Sequence, residues 1–334
     1  MQIFLVGVGC MLEKIVVITG PTAAGKTGLG VRLAQQFGGE VVSADSMQVY
    51  RGLNVGTAKP SALEMDGVPH HMIDVAEPGE AYSVARYVAE ARDCADDILR
   101  RGKLPILVGG TGLYIDSLLA GRDFAAKSEE GDERAAECRP YRDALAERYE
   151  REGAETLWRE LQEVDPETAE RLHPNDKKRV LRALEVYQLT GQTMTAHNAA
   201  TRRVPPRYEA VKIALTARER GDLYRRVDKR VDAMLDAGLY AEVADLLQSG
   251  LPPACTAMQA IGYKEMARAV AGEISLEEAA ALIKQESRRY AKRQLSWLRR
   301  DETVRWIEWD GEPDFAEAVR VSTEFCRDAG IMDR

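Results

Sequence analysis

The run Gly20-Pro21-Thr22-Ala23-Ala24-Gly25-Lys26-Thr27 sets two glycines, a lysine and a threonine at the spacing Gly-x4-Gly-Lys-Thr. The chemistry it suits is anion capture. Backbone N–H groups of such a turn, and the positive end of the helix it opens, converge on one phosphate group. Gly20 and Gly25 permit the close approach and unusual dihedrals that a phosphate nest demands. Lys26 adds a point charge, and the Thr27 hydroxyl is the type of ligand that holds Mg²⁺. Asp45 is the second residue with chemistry to offer. It ends Glu40–Ser46, which reads as a strand, and the C-terminal ends of strands line the ligand crevice of an open α/β sheet. Asp45 is therefore expected beside the phosphate loop. Gly109-Gly110-Thr111-Gly112 follows another apolar strand and precedes a helix, so it aims backbone donors and a hydroxyl at the same crevice; a plain tight turn is the alternative. His70 and His71 are adjacent in an extended segment and point opposite ways. With no third ligand at suitable spacing, they read as hydrogen-bonding residues rather than metal ligands.

Positioning these groups takes alternating strands and helices. Ile15–Ile18 is a short β-branched strand, and Gly28–Phe37 a helix stopped by Gly38-Gly39. Gly28 and Gly30 each cost that helix about 1 kcal/mol against alanine, so tertiary packing must hold it. Met47–Lys59 is punctuated by glycine and reads as a functional loop. Ser83–Arg101 carries apolar residues at helical spacing, Pro105–Val108 is a buried strand, and Leu113–Leu119 a helix. From about residue 121 to 201 the alternation stops. Helices are expected at Pro140–Glu152, Ala154–Val164, Pro166–Leu172 and Lys177–Leu189, with caps at Asp165-Pro166 and Asn175-Asp176. On the last of these, Lys178, Arg179 and Arg182 share a face; by charge alone, such a run is a solvated face. Strand and helix then resume. Val211, Ile213 and Leu215 alternate as a strand, and Leu223, Val227, Val231 and Met234 mark a helix with Arg225, Arg226, Lys229 and Arg230 beside the stripe. Ser275-Leu276-Glu277-Glu278 is a capping box that opens a long helix to Leu298. Its like-charged pairs Arg288/Lys292 and Arg289/Arg293 call for an anion or for acidic neighbours. A strand, Val304–Trp309, and a polar helix follow. The fold class is α/β: a P-loop NTPase-like parallel sheet core formed by residues 12–120 and 202–325, with an inserted all-helical subdomain at residues 121–201.

Composition is that of an ordinary globular protein: 334 residues, 45% hydrophobic and 30% charged. Five cysteines, Cys10, Cys94, Cys138, Cys255 and Cys326, are scattered with no C-x-x-C pair. That argues against a zinc module or a disulfide framework and suits a reducing cytoplasm. The net charge of −8 excludes general nucleic-acid coating, so any nucleic-acid contact must use a local basic face. Met1–Met11 is apolar, lacks the parts of a signal peptide and is too short to span a bilayer; it reads as a leader ahead of a more natural start at Met11. At this point a kinase of a small hydroxylated metabolite, with Asp45 as base, stays open.

Taken together, the motifs resemble the tRNA dimethylallyltransferases. Beside the phosphate loop, the matching blocks are Ser43–Tyr50, Asn54–Pro60, Pro69–Asp74, Leu107–Tyr114, His173–Glu185, Ala260–Glu265 and Tyr290–Trp297. They run in order over nearly the whole chain from Lys14 to Arg300, and Gly-Thr-Ala-Lys-Pro and His-Pro-Asn-Asp are the most specific. The resemblance implies that the loop, Gly20 to Thr27, holds the pyrophosphate of dimethylallyl diphosphate, with Mg²⁺ at Thr27 and Arg226 completing the clamp. Asp45 matches the general base, which also reads the adenine, and Thr111 a tRNA contact in the reaction channel. The tRNA anticodon stem-loop is the implied partner. Ser46, Met47 and Gln48 would meet it beside Asp45, and Arg142, Lys178, Arg179, Val180, Leu181 and Arg182 in the helical insert. The implied enzyme is cytoplasmic and monomeric, with no membrane association. The family's close relative, adenylate isopentenyltransferase, shares the loop but acts on free AMP and has no need of the basic helices.

Overall fold

A computed structural model describes residues 12–121, 131–202 and 205–331, with side chains omitted for residues 131–139 and 201–202. The apolar leader lies outside the described residues. Two compact units divide the chain: residues 1–119 with 207–334, and residues 120–206.

The first unit is built on a six-stranded sheet with every pairing parallel. Its strands are β1 (Glu13–Thr19), β2 (Glu40–Ser43), β3 (His70–His71), β4 (Pro105–Val108), β5 (Tyr208–Ala217) and β6 (Arg305–Trp309), in the spatial order β3-β2-β4-β1-β5-β6. Ile15–Ile18 are almost wholly buried because β1 lies between β4 and β5 with helices over both faces, as the continuous apolar run requires. Helices α1 (Lys26–Phe37), α2 (Ala62–Met65), α3 (Val84–Arg100) and α4 (Gly112–Leu119) belong to the first half of this unit. Gly30 in α1 earns its place by close packing, since a Cβ there would meet Val108 at 2.7 Å. β2 ends at Ser43, so Asp45 sits just past the strand, in the turn that follows. His70 and His71 do make hydrogen bonds, to the Val68 carbonyl and to Glu40, both at 2.8 Å.

The second unit is helical: α5 (Gly131–Glu152), α6 (Ala154–Val164), α7 (Pro166–Arg171), α8 (Lys177–Thr190) and α9 (Met194–Arg202). The first begins nine residues before Pro140, which the helix accommodates in its interior, and α9 has no counterpart in the sequence reading. Leu145, Leu157, Leu161, Ala169, Val180, Leu181 and Leu184 form its core.

The first unit resumes with α10 (Arg220–Asp236), α11 (Leu239–Gln248), α12 (Tyr263–Val270), α13 (Leu276–Leu298) and α14 (Phe315–Asp328). The expected capping box at Ser275 and Glu278 is formed in both directions. Acidic neighbours relieve the like-charged pairs of α13: Arg288 bonds to Asp228 at 2.5 Å and Arg289 to Glu286 at 2.6 Å. Among the described residues, no helix is long and apolar enough to cross a membrane.

Candidate active site

The phosphate loop links β1 to α1 at the C-terminal edge of the sheet. Gly20, Ala23 and Gly25 hold φ values of +139°, +62° and +88°, the left-handed backbone that curls a nest of N–H groups around an anion. Not every donor is available. Thr22 N–H is spent on Gln294 Oε1 at 2.9 Å, and Ala24 N–H on the Pro21 carbonyl at 3.3 Å. Trp309 braces the loop from below, its indole N–H donating to the Ala24 carbonyl at 2.8 Å. The Lys26 ammonium donates to the Pro21 carbonyl at 2.7 Å. Burial, with the charge of Arg230 beside it, draws Lys26 down to about 7 against the opposing field of Asp45.

A cavity of about 800 Å³ opens over this loop. Residues 22–28 and 45–48 contribute to its wall, and Arg230, Tyr290 and Gln294 close other sides. Met234, Ile261 and Ile283 supply apolar lining. Asp45 is held in an Asx turn, its Oδ1 accepting from Met47 N–H at 2.9 Å and Gln48 N–H at 3.4 Å. Gln48 Nε2 donates to the carbonyls of Thr57 and Ala58, both at 3.4 Å, which joins this turn to the Gly-Thr-Ala-Lys-Pro loop. That loop is fixed in turn by Glu242 on α11, which accepts from the N–H groups of Asn54, Val55 and Gly56 and from the Tyr263 hydroxyl.

The expected site residues converge unevenly. Thr111 is absent from the cavity wall. It acts on the wall from behind: its hydroxyl accepts from Ser46 N–H at 3.0 Å. The Tyr290 phenol is pushed up to about 12, chiefly by burial and then by the Asp45 charge. Arg226 also stands outside the wall; its Nη2 is 3.8 Å from where a Cβ of Gly25 would lie. One turn on, Arg230 reaches the cavity itself. The run of cations on α10 was visible in the sequence, but nothing in it singled out Arg230. Arg226 Nη1 and Arg230 Nε are buried without a hydrogen-bond partner among the described residues, and burial lowers the proton affinity of both guanidiniums. Arg230 Nη2 makes one long bond, to the Thr57 carbonyl at 3.3 Å, and such incompletely satisfied buried cations are costly. Together with Lys26 they make an arrangement that suits an anion.

Thr27, in the first turn of α1, lines the same cavity. No group of three or more acidic, histidine or cysteine ligands occurs among the described residues. A single hydroxyl suits Mg²⁺ held largely by phosphate oxygens and water.

In the helical unit, Glu185 is 2% exposed and anchors two arginines. It accepts from Arg142 Nη2 at 2.6 Å and from Arg182 Nη1 at 2.8 Å, and both guanidiniums remain more than half exposed. Arg179 is more exposed still and pairs with Asp176 at 3.4 Å. The side chains of Val180 and Leu181, at 0% and 8% exposure, pack in the core of the unit, so any contact that these two make with an RNA falls to their backbone.

A parallel α/β sheet with a glycine-rich nest, two buried cations and a carboxylate on one cavity defines a P-loop-like protein suited to a phosphorylated substrate. Comparisons with known proteins narrow that class. The family described as IPP transferase matches residues 48–301, and the one described as isopentenyl transferase matches residues 13–77. A tRNA dimethylallyltransferase of Desulforudis audaxviator is 50% identical over 88% of this chain and 91% of its own length. One of Geobacillus thermodenitrificans is 48% identical over 92% and 95%. Among solved structures, the tRNA isopentenylpyrophosphate transferase of Bacillus halodurans is 42% identical, with a TM-score of 0.68 and 96% of each chain covered. A eukaryotic dimethylallyltransferase acting on tRNA is 29% identical with a TM-score of 0.77, covering 95% of this chain and 80% of that one. The chain belongs to the tRNA dimethylallyltransferase family.

Proposed function

We propose that this protein transfers the dimethylallyl group of dimethylallyl diphosphate to N6 of adenosine 37 in tRNA, giving N6-isopentenyladenosine and releasing pyrophosphate. The observation that carries the reading is the pair of cations Lys26 and Arg230, neither held by a carboxylate, facing the same cavity as Asp45. One end suits a diphosphate, and the carboxylate suits an amine about to lose a proton.

The reaction is a displacement at an allylic carbon. The exocyclic amine attacks C1, the C1–O bond breaks, and the bonding pair leaves with pyrophosphate. The remaining N–H donors of residues 23–27, with Lys26, Arg230 and Arg226, stabilise the departing charge. Mg²⁺ at Thr27, when bound, would neutralise part of that charge. Asp45 accepts an N6–H bond, orients the base and takes the proton as the carbon–nitrogen bond forms. Its Oδ1 is held by the Asx turn, which leaves Oδ2 for the adenine. Met234, Ile261 and Ile283 offer an apolar surface to the five-carbon chain. Adenine 37 reaches such a cavity only when flipped out of its stack. Ser46, Met47 and Gln48 would contact that nucleotide and its neighbours, with Thr111 fixing Ser46 from behind. Arg142, Lys178, Arg179 and Arg182 would hold phosphates of the anticodon stem-loop. The reaction would run in the cytoplasm on a single chain.

The test is mass spectrometry of tRNA nucleosides after incubation of the protein with isotope-labelled dimethylallyl diphosphate and bulk tRNA. Label in a nucleoside heavier than adenosine by one isopentenyl group is expected. Label in free AMP alone, or transfer of phosphate from ATP to a metabolite with none to tRNA, would overturn the reading.

A further inference from the structure

On α13, Gln294 is 7% exposed and both halves of its amide are engaged. Its Oε1 accepts from Thr22 N–H, and its Nε2 donates to the Gly110 carbonyl, both at 2.9 Å. Thr22 belongs to the loop at the end of β1, and Gly110 to the glycine turn at the end of β4, the strand beside it. Gln294 is therefore a strut between two turns that carry different halves of the site.

The second turn reaches Asp45 by short steps. Thr111 N–H donates to the Ala44 carbonyl at 3.1 Å, and the Thr111 hydroxyl accepts from Ser46 N–H at 3.0 Å, so the residues on both sides of Asp45 are fixed to it. Two further residues of α13 face the same turn. Thr111 and Gln294 stand close enough to the Tyr290 phenol to favour its ionised form, and Trp297 lies where a Cβ of Gly112 would come within 2.4 Å of its ring. Trp297 is itself fixed by a bond from Nε1 to Asp116 at 3.1 Å. Residues 290, 294 and 297 are spaced to share one helix face.

The requirement this meets is alignment. Displacement at C1 needs the attacking nitrogen and the leaving oxygen in line, with the reacting atoms about 3–3.5 Å apart. The leaving group is held by one turn and the nucleophile's partner, Asp45, is fixed by the other. We propose that Gln294 is a positioning residue, which sets the separation of the diphosphate loop from the turn that fixes Asp45 and so aligns C1 with the amine. This rests on the reaction proposed above. The amide suits the task because it offers one acceptor and one donor. A carboxylate would set an acceptor against the Gly110 carbonyl, and asparagine is one methylene too short.

Gly110 provides an independent way to break the strut. A Cβ there would lie 2.3 Å from Gln294 Nε2, while the next residue's atom, the Gly20 carbonyl oxygen, is at 3.4 Å. Gly110→Ala thus expels the amide, yet its methyl fits once Gln294 is shortened to alanine. The experiment is a double-mutant cycle on Gln294→Ala and Gly110→Ala, read by single-turnover transfer to tRNA at saturating diphosphate, with both dissociation constants measured. Each single variant is expected to lose about 10- to 100-fold in the single-turnover rate while each dissociation constant moves less than ~3-fold, the pattern of misalignment rather than lost binding. The double variant should be no slower than Gln294→Ala alone, because both changes remove the same bridge. Wild-type rates in Gln294→Ala, losses that multiply in the double variant, or a defect confined to a dissociation constant would each overturn the proposal. Failure of the unmodified protein to label tRNA would instead remove the reaction on which it rests.

Discussion

Lys26 makes the binding of diphosphate a measurable function of pH. In the ligand-free site its pKa is about 7, lowered first by burial and then by Arg230. A bound diphosphate supplies the missing counter-charge and returns the ammonium toward the ordinary lysine value of about 10.4. The protonated form is the one that binds, so affinity is greatest on the acid side of this pKa and is lost as pH rises through it. The terminal phosphate of the ligand titrates near pH 6 and is about nine-tenths ionised by pH 7, so the window above 7 reports chiefly the protein. Tyr290, held up at about 12, stays protonated throughout it. From pH 7 to pH 9 the protonated fraction of the empty site falls from about one half to about 0.01, and affinity should fall roughly 50-fold, ~2.3 kcal/mol. Calorimetry at pH 8 in buffers of different ionisation enthalpy, with dimethylallyl diphosphate and no tRNA, should record uptake of about 0.9 proton per site. Lys26→Arg keeps a charge that does not titrate and should flatten the profile, whatever its absolute affinity. Equal affinity at pH 7 and 9 in the unmodified protein, or the same slope in Lys26→Arg, would refute the reasoning.

Three further outcomes are expected. Asp45→Asn preserves shape but loses basicity, so single-turnover transfer should fall at least ~10²-fold while tRNA and diphosphate still bind; near-normal transfer would sink the general-base assignment. Arg230→Met removes a cation from the departing charge and should cost on the order of 10²-fold in turnover. Because the guanidinium is buried with Nε unpartnered and only one long bond, Nη2 to the Thr57 carbonyl at 3.3 Å, the same variant should melt no lower than the parent without ligand and gain less on adding diphosphate; a lower melting point with full activity would contradict both parts. In Arg179→Ala/Arg182→Ala the log–log salt slope of tRNA binding should shrink by ~0.7–0.9 for each phosphate contact removed, with the diphosphate KM unmoved. An unchanged slope would mark this face as merely solvated.

Much of the protein was legible in its residues, for reasons that are local. A β-branched run, a glycine at each sharp bend and a helix after it specify the phosphate loop through backbone dihedrals alone, and φ values of +139° and +88° at Gly20 and Gly25 are what those glycines permit. The capping box at Ser275 depends on residues three apart and formed as read. β4 and α6 were located to the residue, β4 by an unbroken apolar run that is buried at all four positions and α6 by Gly153 before it and the Asp165-Pro166 cap after it.

What tertiary structure decided are relations between distant residues. Sequence placed Arg226 and Arg230 on one stretch of helix, but which of them reaches the cavity depends on how α10 lies against the loop, and it is Arg230. Val180 and Leu181 share the basic run with Arg179 and Arg182, yet the turn of the helix sends them into the core. Gln294 is 272 residues from Thr22 and 184 from Gly110, so no local pattern can announce that one amide joins both. Short-range chemistry writes each turn and helix into the chain where it stands. Which turn meets which side chain is settled only when the sheet is assembled and the helices close over it.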